Sequence, residues 1–155
     1  MIRQAQEKDI EGIIRLLEQV LEVHHKGRPD LFKGNATKYT RDELKEILKD
    51  PDRPVFVSEG EEGEVQGYAF CVVQMHPNDN ILTDIKTLYI DDLCVDENLR
   101  GMHVGSSIYR YVLDYARQND FYNVTLNVWA CNESARRFYE NMGLKPQKYG
   151  METIL

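Results

Sequence analysis

Two segments of the chain combine residue types that could bind and transform a charged ligand. The first, Leu93 to Ser106, reads LCVDENLRGMHVGS: an apolar run is followed by an arginine, two glycines and the start of a helix. The first amides of a helix lack internal partners and lie at the positive end of its dipole, so small residues there let the backbone close around an anion. Arg100 adds a guanidinium suited to phosphate. A tight turn with a packing glycine explains the same residues equally well.

The second segment, Asn132 to Leu144, separates polar and apolar residues on one predicted helix. Asn132, Arg136 and Tyr139 lie four and three residues apart and share a face. The neighbouring face is apolar and consists of Ala135, Phe138 and Met142. By itself this pattern favours an asparagine helix cap, a core helix and a half-buried tyrosine.

The elements around these segments follow the order β-α-α-β-β-β-α-β-α-β. The predicted strands are Ile2 to Ala5, Pro54 to Ser58, Val65 to Val73, Lys86 to Val95, Val124 to Trp129 and Tyr149 to Leu155. The predicted helices begin at Asp9, Thr40, His103 and Ser134. This order predicts an α/β fold with a mixed, twisted sheet and helices on both faces. The strands before and after the third helix should be parallel, with a right-handed connection.

Composition and charge restrict the class of protein. The 155 residues suit one domain, 1–155, and the formal net charge is −7. An acidic chain lacks the basic stripe of a nucleic-acid binder, whereas its field would attract a cationic substrate or simply keep the protein soluble. No signal peptide or membrane-length apolar run is present, which predicts a cytoplasmic protein without a membrane partner. Cys71, Cys94 and Cys131 form no C-x-x-C pair, so we expect neither a disulfide framework nor a metal site.

Taken together, the two segments resemble the GNAT superfamily of N-acetyltransferases. The family loop Arg/Gln-x-x-Gly-x-Gly/Ala is matched by Arg100-x-x-His103-x-Gly105, after the apolar triplet Leu93-Cys94-Val95. His103 stands where the middle glycine of the family usually lies. Because a histidine amide can still bind phosphate, we expect cofactor binding to be retained.

The rest of the resemblance covers nearly the whole chain. The later family helix, Asn-x-x-Ala-x-x-Phe-Tyr, is matched in full by Asn132, Ala135, Phe138 and Tyr139. The opening Ile2-Arg3-x-Ala5-x-x-x-Asp9 also looks like that of the family. The segment from Val23 to Lys49 is similar only in the order of its elements.

The resemblance implies an acetyl-CoA-dependent N-acetyltransferase. In such an enzyme an amine attacks the thioester directly in a ternary complex, without an acyl-enzyme. The pyrophosphate of the cofactor would bind the amides of Arg100, Gly101, Met102, His103, Val104, Gly105 and Ser106. An amide near Leu93, Cys94 or Val95 would hold the developing oxyanion. Tyr139 would protonate the departing thiolate as general acid, and Asn132 would fix the pantetheine arm or the helix start.

The general base is less clearly indicated. Asp91 and Asp92 precede the apolar triplet, and alternation along a strand would point them to opposite faces, so that one faces the cleft. We prefer Asp92 because acidic residues recur here in family members that act on amines. Both aspartates could instead only make the acceptor site negative. His24 and His25 lie in the region that usually forms the acceptor wall, where they could contact substrate or remain solvated.

The sequence does not determine the acceptor amine or the oligomeric state. A small cationic metabolite is the leading acceptor, and a protein N-terminus or lysine is the alternative within the enzyme class. A non-catalytic acyl-CoA sensor is the alternative outside it, favoured only by the departure at His103. The family resemblance also raises the possibility of a homodimer.

Overall fold

Five strands form one mixed sheet in the computed structural model, which describes residues 1–155. The strands are β1 (Ile2–Gln4), β2 (Val55–Glu59), β3 (Val65–Gln74), β4 (Thr87–Val95) and β5 (Asn123–Leu126). They lie side by side in chain order; β1 to β4 are antiparallel, and β5 is parallel to β4. The mixed sheet and the parallel pair were both predicted, and both are confirmed.

Four helices cover the two faces of the sheet. They are α1 (Ile10–Gly27), α2 (Arg41–Lys49), α3 (Val104–Gln118) and α4 (Glu133–Asn141). A capping box precedes α2, as the Glu43 amide donates to Thr40 Oγ1 and the Thr40 amide donates to Glu43 Oε1. None of the helices is long and apolar enough to cross a membrane.

The core is divided by the sheet into two layers. Alternate residues of β3 face opposite sides: Tyr68 and Phe70 pack with α1 and α2, whereas Ala69 and Cys71 pack with α3. The apolar stripe of α1 supplies the fully buried Ile13, Leu16 and Leu17 to the first layer. The second layer receives Ile108 and Val112 from α3.

The N-terminal motif ties β1 to the start of α1. The Arg3 guanidinium donates to both carboxylate oxygens of Asp9, at 2.8 and 2.9 Å, and also to Glu59. Asp9 is buried, and burial alone would raise its pKa. The hydrogen bonds from Arg3 and from the Gln6 amide, together with the positive charge of Arg3, outweigh this effect and hold the pKa below its usual value. Arg3 and Asp9 therefore have a structural role that joins strand, helix and sheet edge.

A β-bulge lies in β4 at the acidic pair. Phe70 of β3 is opposite Asp92 and the next residue, Cys71, is opposite Ile90, so Asp91 is left without a partner. The extra residue interrupts the alternation, and Ile90 and Leu93 both pack on the α3 side. Asp91 and Asp92 consequently both face the α1 side. The prediction that they point to opposite faces is wrong, because it assumed a regular strand.

The sheet opens where β4 and β5 separate. Their pairing ends at Ile90 and Leu126, whereas β4 continues alone on that side to Val95. The opening lies at the carboxyl ends of two parallel strands, between the start of α3 and the segment that leads into α4. In open α/β sheets a crevice at this place is a common ligand site.

The predicted last strand, Tyr149 to Leu155, is not formed, and β5 stops at Leu126 rather than Trp129. Residues 145–155 are all exposed and make no backbone hydrogen bond with the rest of the chain. A strand exists only where a neighbouring strand completes its ladder, and this segment is paired with no strand of the sheet. One edge of β5 is therefore unpaired.

Candidate active site

The loop before α3 presents a row of free backbone amides. The amides of Gly101, His103, Val104, Gly105 and Ser106 donate to no group of the chain. The first amide paired to the helix start is that of Ser107, which donates to the His103 carbonyl at 3.1 Å. These amides lie at the positive end of a helix dipole, so they could hold a phosphate.

His103 supports this arrangement with an unusual backbone angle. Its φ is +64°, in the left-handed region that favours glycine, and Gly101 has a φ of +82°. Histidine is one of the residues that tolerate this region, although it is less favourable than glycine there. The histidine thus adopts the backbone that a glycine would take, and its amide stays available.

Two contacts from α1 hold the same loop in place. The Arg15 guanidinium pairs with Asp96 and also donates to the Val65 carbonyl at 2.9 Å. The Glu97 amide donates to Gln19 Oε1 at 3.1 Å. The loop is therefore fastened to both the sheet and α1 on the side away from α3.

Gly105 also has a packing role. A Cβ atom at this position would lie 3.4 Å from a ring carbon of Phe138 and 3.4 Å from a methyl group of Val95. The glycine lets α3 approach both β4 and α4. The two explanations of this residue, a packing glycine and a phosphate loop, are compatible with one another. Arg100 is exposed and forms no ion pair, so its guanidinium is free to meet an anion.

We expect His103→Gly to keep the free energy of unfolding within about 1 kcal/mol of wild type. Relief of the left-handed backbone, about 1–2 kcal/mol for an ordinary side chain, is offset by the greater freedom of glycine in the unfolded chain. His103→Val, in contrast, should lower stability by about 1–2 kcal/mol, because a β-branched residue fits this region poorly. Urea denaturation of both variants checks these values.

Calorimetric titration with acetyl-CoA tests the role of the His103 amide in the same variants. The His103→Gly variant should bind acetyl-CoA as tightly as wild type. Binding weaker by about tenfold, or about 1.4 kcal/mol, would mean that the imidazole itself contacts the cofactor.

The triplet Leu93-Cys94-Val95 borders the opening on the β4 side. No strand pairs with it on the side facing β5, so backbone groups there can meet a ligand.

The two buried cysteines are protonated thiols. Burial raises the pKa of both Cys71 and Cys94 to about 12, and the Cys94 thiol lies 3.7 Å from the Leu16 carbonyl. Neither thiol is ionised near neutral pH, which agrees with a reaction that needs no cysteine nucleophile.

Tyr139 lies on α4 with an unpartnered hydroxyl. Its ring meets that of Phe138 edge to face at 5.2 Å, and its hydroxyl makes no hydrogen bond within the chain. Burial raises the pKa of Tyr139, and the nearby negative charge of Asp92 raises it further. The phenol is thus a proton donor at neutral pH, close to the triplet of β4.

Asn132 fixes the start of the helix that carries Tyr139. Its Oδ1 accepts a hydrogen bond from the Ala135 amide at 3.3 Å. Of the two roles predicted for this side chain, the structure contains the helix cap.

Asp92 is hydrogen-bonded to a residue that the sequence did not indicate. The Tyr68 hydroxyl, on the neighbouring strand β3, donates to Asp92 Oδ2 at 2.7 Å. Burial raises the pKa of Asp92, even though the Tyr68 hydrogen bond and the charge of Lys38 act in the opposite direction. A carboxylate with a raised pKa is a better proton acceptor, as a general base requires. Only the cross-strand register could have revealed this pair.

Asp91 is held by the irregular segment between α1 and α2. Lys38 Nζ lies 2.9 Å from Asp91 Oδ2, and the Tyr39 hydroxyl donates to the same oxygen at 2.8 Å. Arg53 donates to the Tyr39 hydroxyl in turn. Asp91 therefore already binds a primary ammonium group, that of Lys38, beside the opening.

His24 and His25 lie at the end of α1, where both contact Phe32. The His24 ring is 5.0 Å from the Phe32 ring, and His25 Nδ1 is 2.7 Å from the Phe32 carbonyl oxygen. The Phe32 ring also meets the Trp129 ring edge to face, with the ring centroids 5.1 Å apart. Phe32 thus connects the end of α1 with the segment after β5. Burial lowers the pKa of His24, with a further lowering from Lys38, so its imidazole is neutral near pH 7.

Comparison with known proteins places this arrangement in a family. The sequence model described as the Acetyltransferase (GNAT) family matches residues 17–144. The chain belongs to the GNAT acetyltransferase family. It is an acyltransferase, and this family uses acetyl-CoA, as the free amides before α3 would allow. A search of curated proteins finds no match to this GNAT chain.

Solved structures share the fold over the full length of this GNAT protein. A mutant of the BH1408 protein from Bacillus halodurans has 31% identity and a TM-score of 0.95, over 100% of this chain and 99% of that one. A soil-metagenome aminoglycoside acetyltransferase, in complex with sisomicin, has 20% identity and a TM-score of 0.77, over 100% and 95%. Glucosamine-6-phosphate N-acetyltransferase from Arabidopsis thaliana has 22% identity and a TM-score of 0.72, over 99% and 97%.

Proposed function

We propose that this protein transfers the acetyl group of acetyl-CoA to a primary amine of a small cationic metabolite, by direct attack in a ternary complex. The observation that carries the proposal is the placement of three groups around one opening in the sheet. These are the free amides before α3, the free Tyr139 hydroxyl and the paired carboxylates of Asp91 and Asp92.

The free amides of Gly101 and of residues 103–106, with the side chain of Arg100, would hold the pyrophosphate of acetyl-CoA. The Met102 amide, also expected to bind it, instead donates to the Leu99 carbonyl at 3.3 Å. The cofactor supplies an activated thioester when it is bound. A backbone amide of the Leu93-Cys94-Val95 triplet would stabilise the oxyanion, since this part of β4 has no neighbour on the β5 side. No cluster of three metal-ligating side chains occurs in residues 1–155.

Proton transfer in this proposal uses two residues on opposite sides of the opening. An amine bound near neutral pH is mostly protonated, and Asp92 would take its proton, directly or through one water molecule. The raised pKa of Asp92 suits it to this step. Tyr139 would give a proton to the departing thiolate, and its unpartnered hydroxyl is free to do so.

The acceptor class is suggested by charge. Asp91 holds the Lys38 ammonium at 2.9 Å, so its surroundings already suit a primary ammonium group. His25 lines a surface cavity of about 640 Å³ together with Glu18 and Glu22. Carboxylates on this surface would concentrate cationic amines over anionic ones. The names of two structural neighbours also refer to acceptors that are small amines.

The test is the release of CoA thiol from acetyl-CoA across a panel of polyamines, aminoglycosides, amino acids and lysine-containing peptides. We expect thiol release with a cationic small amine, and a product heavier by one acetyl group in mass spectrometry. Transfer to peptides alone would overturn the small-molecule acceptor. Tight binding of acetyl-CoA without transfer to any amine would overturn the enzymatic proposal in favour of a sensor.

A further inference from the structure

Tyr68 places its hydroxyl in the core, beside the candidate general base. The residue is fully buried, and its ring meets the Phe70 ring edge to face, with the ring centroids 5.0 Å apart. In the register of β3 and β4, Tyr68 is opposite Cys94 and Phe70 is opposite Asp92. Tyr68 and Asp92 are therefore diagonal neighbours on one face of the sheet, a separation that an aromatic side chain can span. Because the ring is enclosed by the core, its hydroxyl has a fixed position.

The two oxygens of the Asp92 carboxylate have different surroundings. Oδ2 accepts the hydrogen bond of the Tyr68 hydroxyl at 2.7 Å, whereas Oδ1 has no side-chain partner. Every buried side-chain oxygen of the protein has a hydrogen-bond partner, so Oδ1 lies within reach of solvent or a ligand. Asp92 itself is half-buried, in agreement with one enclosed and one accessible oxygen. One oxygen is thus fixed to β3, and the other is available to a bound amine.

The groups around Asp92 act on its ionisation in opposite directions. The titratable side chains nearby are those of Lys38, Tyr39, Tyr68, Asp91, Cys94 and Tyr139. Burial raises the pKa of Asp92, and the charge of Asp91 adds to this effect. The hydrogen bond from Tyr68, the charge of Lys38 and the Leu93 amide lower it. The Lys38 side chain is 42% exposed, so solvent screens its charge, and Tyr68 is the enclosed donor that opposes burial.

We propose that Tyr68 is the positioning residue of the general base: its hydroxyl holds Asp92 in the ionised form and leaves Oδ1 to receive the proton of the amine. This inference rests on the proposed role of Asp92 in acetyl transfer. The proton leaves the ammonium nitrogen and forms an O–H bond at Oδ1, while Oδ2 keeps its hydrogen bond to Tyr68. Without this donor, Asp92 would stay protonated over a wider pH range and could accept no proton there.

Tyr68 itself does not exchange its proton in this step. Burial raises the pKa of Tyr68 well above its ordinary value, and the charge of Asp92 raises it further. The phenol therefore remains a hydrogen-bond donor across the range in which the carboxylate titrates. Its effect on the reaction passes through Asp92 alone.

A second tyrosine provides a matched control. Tyr39 also packs on the Phe70 ring, with the ring centroids 5.4 Å apart, but its hydroxyl donates to Asp91 Oδ2, at 2.8 Å. Tyr68→Phe and Tyr39→Phe each remove one hydroxyl from the same cluster of rings and the same pair of carboxylates. Only Tyr68→Phe removes the donor of Asp92. A difference between the two variants thus reports on Asp92.

The experiment follows the carboxyl carbons of the aspartates by carbon-13 NMR, from about pH 4 to about pH 9. The signal that is missing from Asp92→Asn identifies Asp92. In Tyr68→Phe the midpoint of this signal should move to higher pH, because the ionised form loses a donor while burial remains. In Tyr39→Phe the midpoint should stay at its wild-type position. An unmoved midpoint in Tyr68→Phe, or an equal movement in both variants, would overturn the proposal.

The pH–rate profile of kcat/KM tests whether this change reaches the reaction. On the acidic limb Tyr68→Phe should be slower than wild type by about tenfold or more, as expected for the loss of a hydrogen bond to a charged group. The two profiles should approach each other above the limb, where Asp92 is ionised in both proteins. A loss that is the same at every pH, with the limb unmoved, would mean that Tyr68 only packs in the core.

Wild type by itself gives a second readout. The ring carbon that bears the Tyr68 hydroxyl should change its chemical shift with the midpoint of Asp92, since this hydroxyl donates to the titrating group. A Tyr68 signal that stays constant through that midpoint would contradict the proposal, even if Tyr68→Phe did not fold. Neither NMR measurement depends on catalysis. Absence of transfer to every amine would overturn the proposed function, and the midpoint would still decide whether Tyr68 governs the ionisation of Asp92.

Discussion

Tyr139→Phe should lower kcat by about 10²–10³ and leave the dissociation constant of acetyl-CoA nearly unchanged. The hydroxyl is the only group that this substitution removes, and it makes no hydrogen bond within the chain that its loss could disturb. Burial and nearby negative charge keep the phenol protonated, so its hydroxyl can donate a proton throughout the neutral range. Steady-state rates with the best amine of the panel, together with calorimetric titration of acetyl-CoA, give both quantities.

Tyr109→Phe is the matched control for this prediction. Tyr109 is a buried tyrosine of α3 that lies close enough to Tyr139 to raise its pKa. No proton transfer is assigned to Tyr109. Loss of its hydroxyl should therefore lower kcat by less than about tenfold, below the usual range for a general acid. Wild-type turnover in Tyr139→Phe, or an equal loss in the two variants, would remove Tyr139 from the mechanism.

Asp92→Asn should lower kcat/KM for the amine by about 10²–10³, a usual loss for a general base. A base acts in its ionised form, and burial raises the pKa of Asp92. Activity of wild type should therefore decline as the pH falls through a pKa above the ordinary aspartate value of about 3.9. The variant should be slow throughout and lack this acidic limb. A pH–rate profile of kcat/KM from pH 5 to 9 checks both features.

Asp91→Asn separates proton transfer from substrate binding. Asp91 interacts with Lys38 and Tyr39 rather than with Tyr68, so its loss should raise KM for cationic amines and keep the acidic limb. Folding should survive in Asp92→Asn, because the amide oxygen that replaces the carboxylate can still accept from the Tyr68 hydroxyl. If Asp91→Asn loses the limb and Asp92→Asn retains it, the base assignment is reversed.

Much of the fold follows from local patterns in the sequence. The apolar spacing of Ile13 and Leu17 predicts α1, and the Thr40 and Glu43 box predicts the start of α2; both are as expected. The sequence also predicts the loop of Arg100 to Ser106, because a glycine-bearing helix start has a local signature. His103 departs from the family loop, and its left-handed backbone, with a φ of +64°, explains how the loop accommodates it.

Contacts between distant segments could not be predicted in this way. The pairing of Tyr68 with Asp92 depends on the register of two strands, and the common orientation of Asp91 and Asp92 depends on one bulged residue. Neither leaves a periodic signal in a single sequence. The contacts of Lys38 with Asp91 and of Phe32 with Trp129 could not be predicted either. Lys38 and Phe32 lie in an irregular segment, and the conformation of that segment depends on the residues against which it packs.

The sequence by itself determined the order of the elements from β1 to α4, the mixed sheet and the glycine-bearing helix start of Arg100 to Ser106, because each rests on neighbours along the chain. Tertiary structure alone decided which carboxylate meets Tyr68, where β4 and β5 separate, and that residues 149–155 form no strand within one chain. The physical reason is the same in each case. A hydrogen-bonding group or a strand needs a partner, and the partner is supplied by a segment far away in sequence.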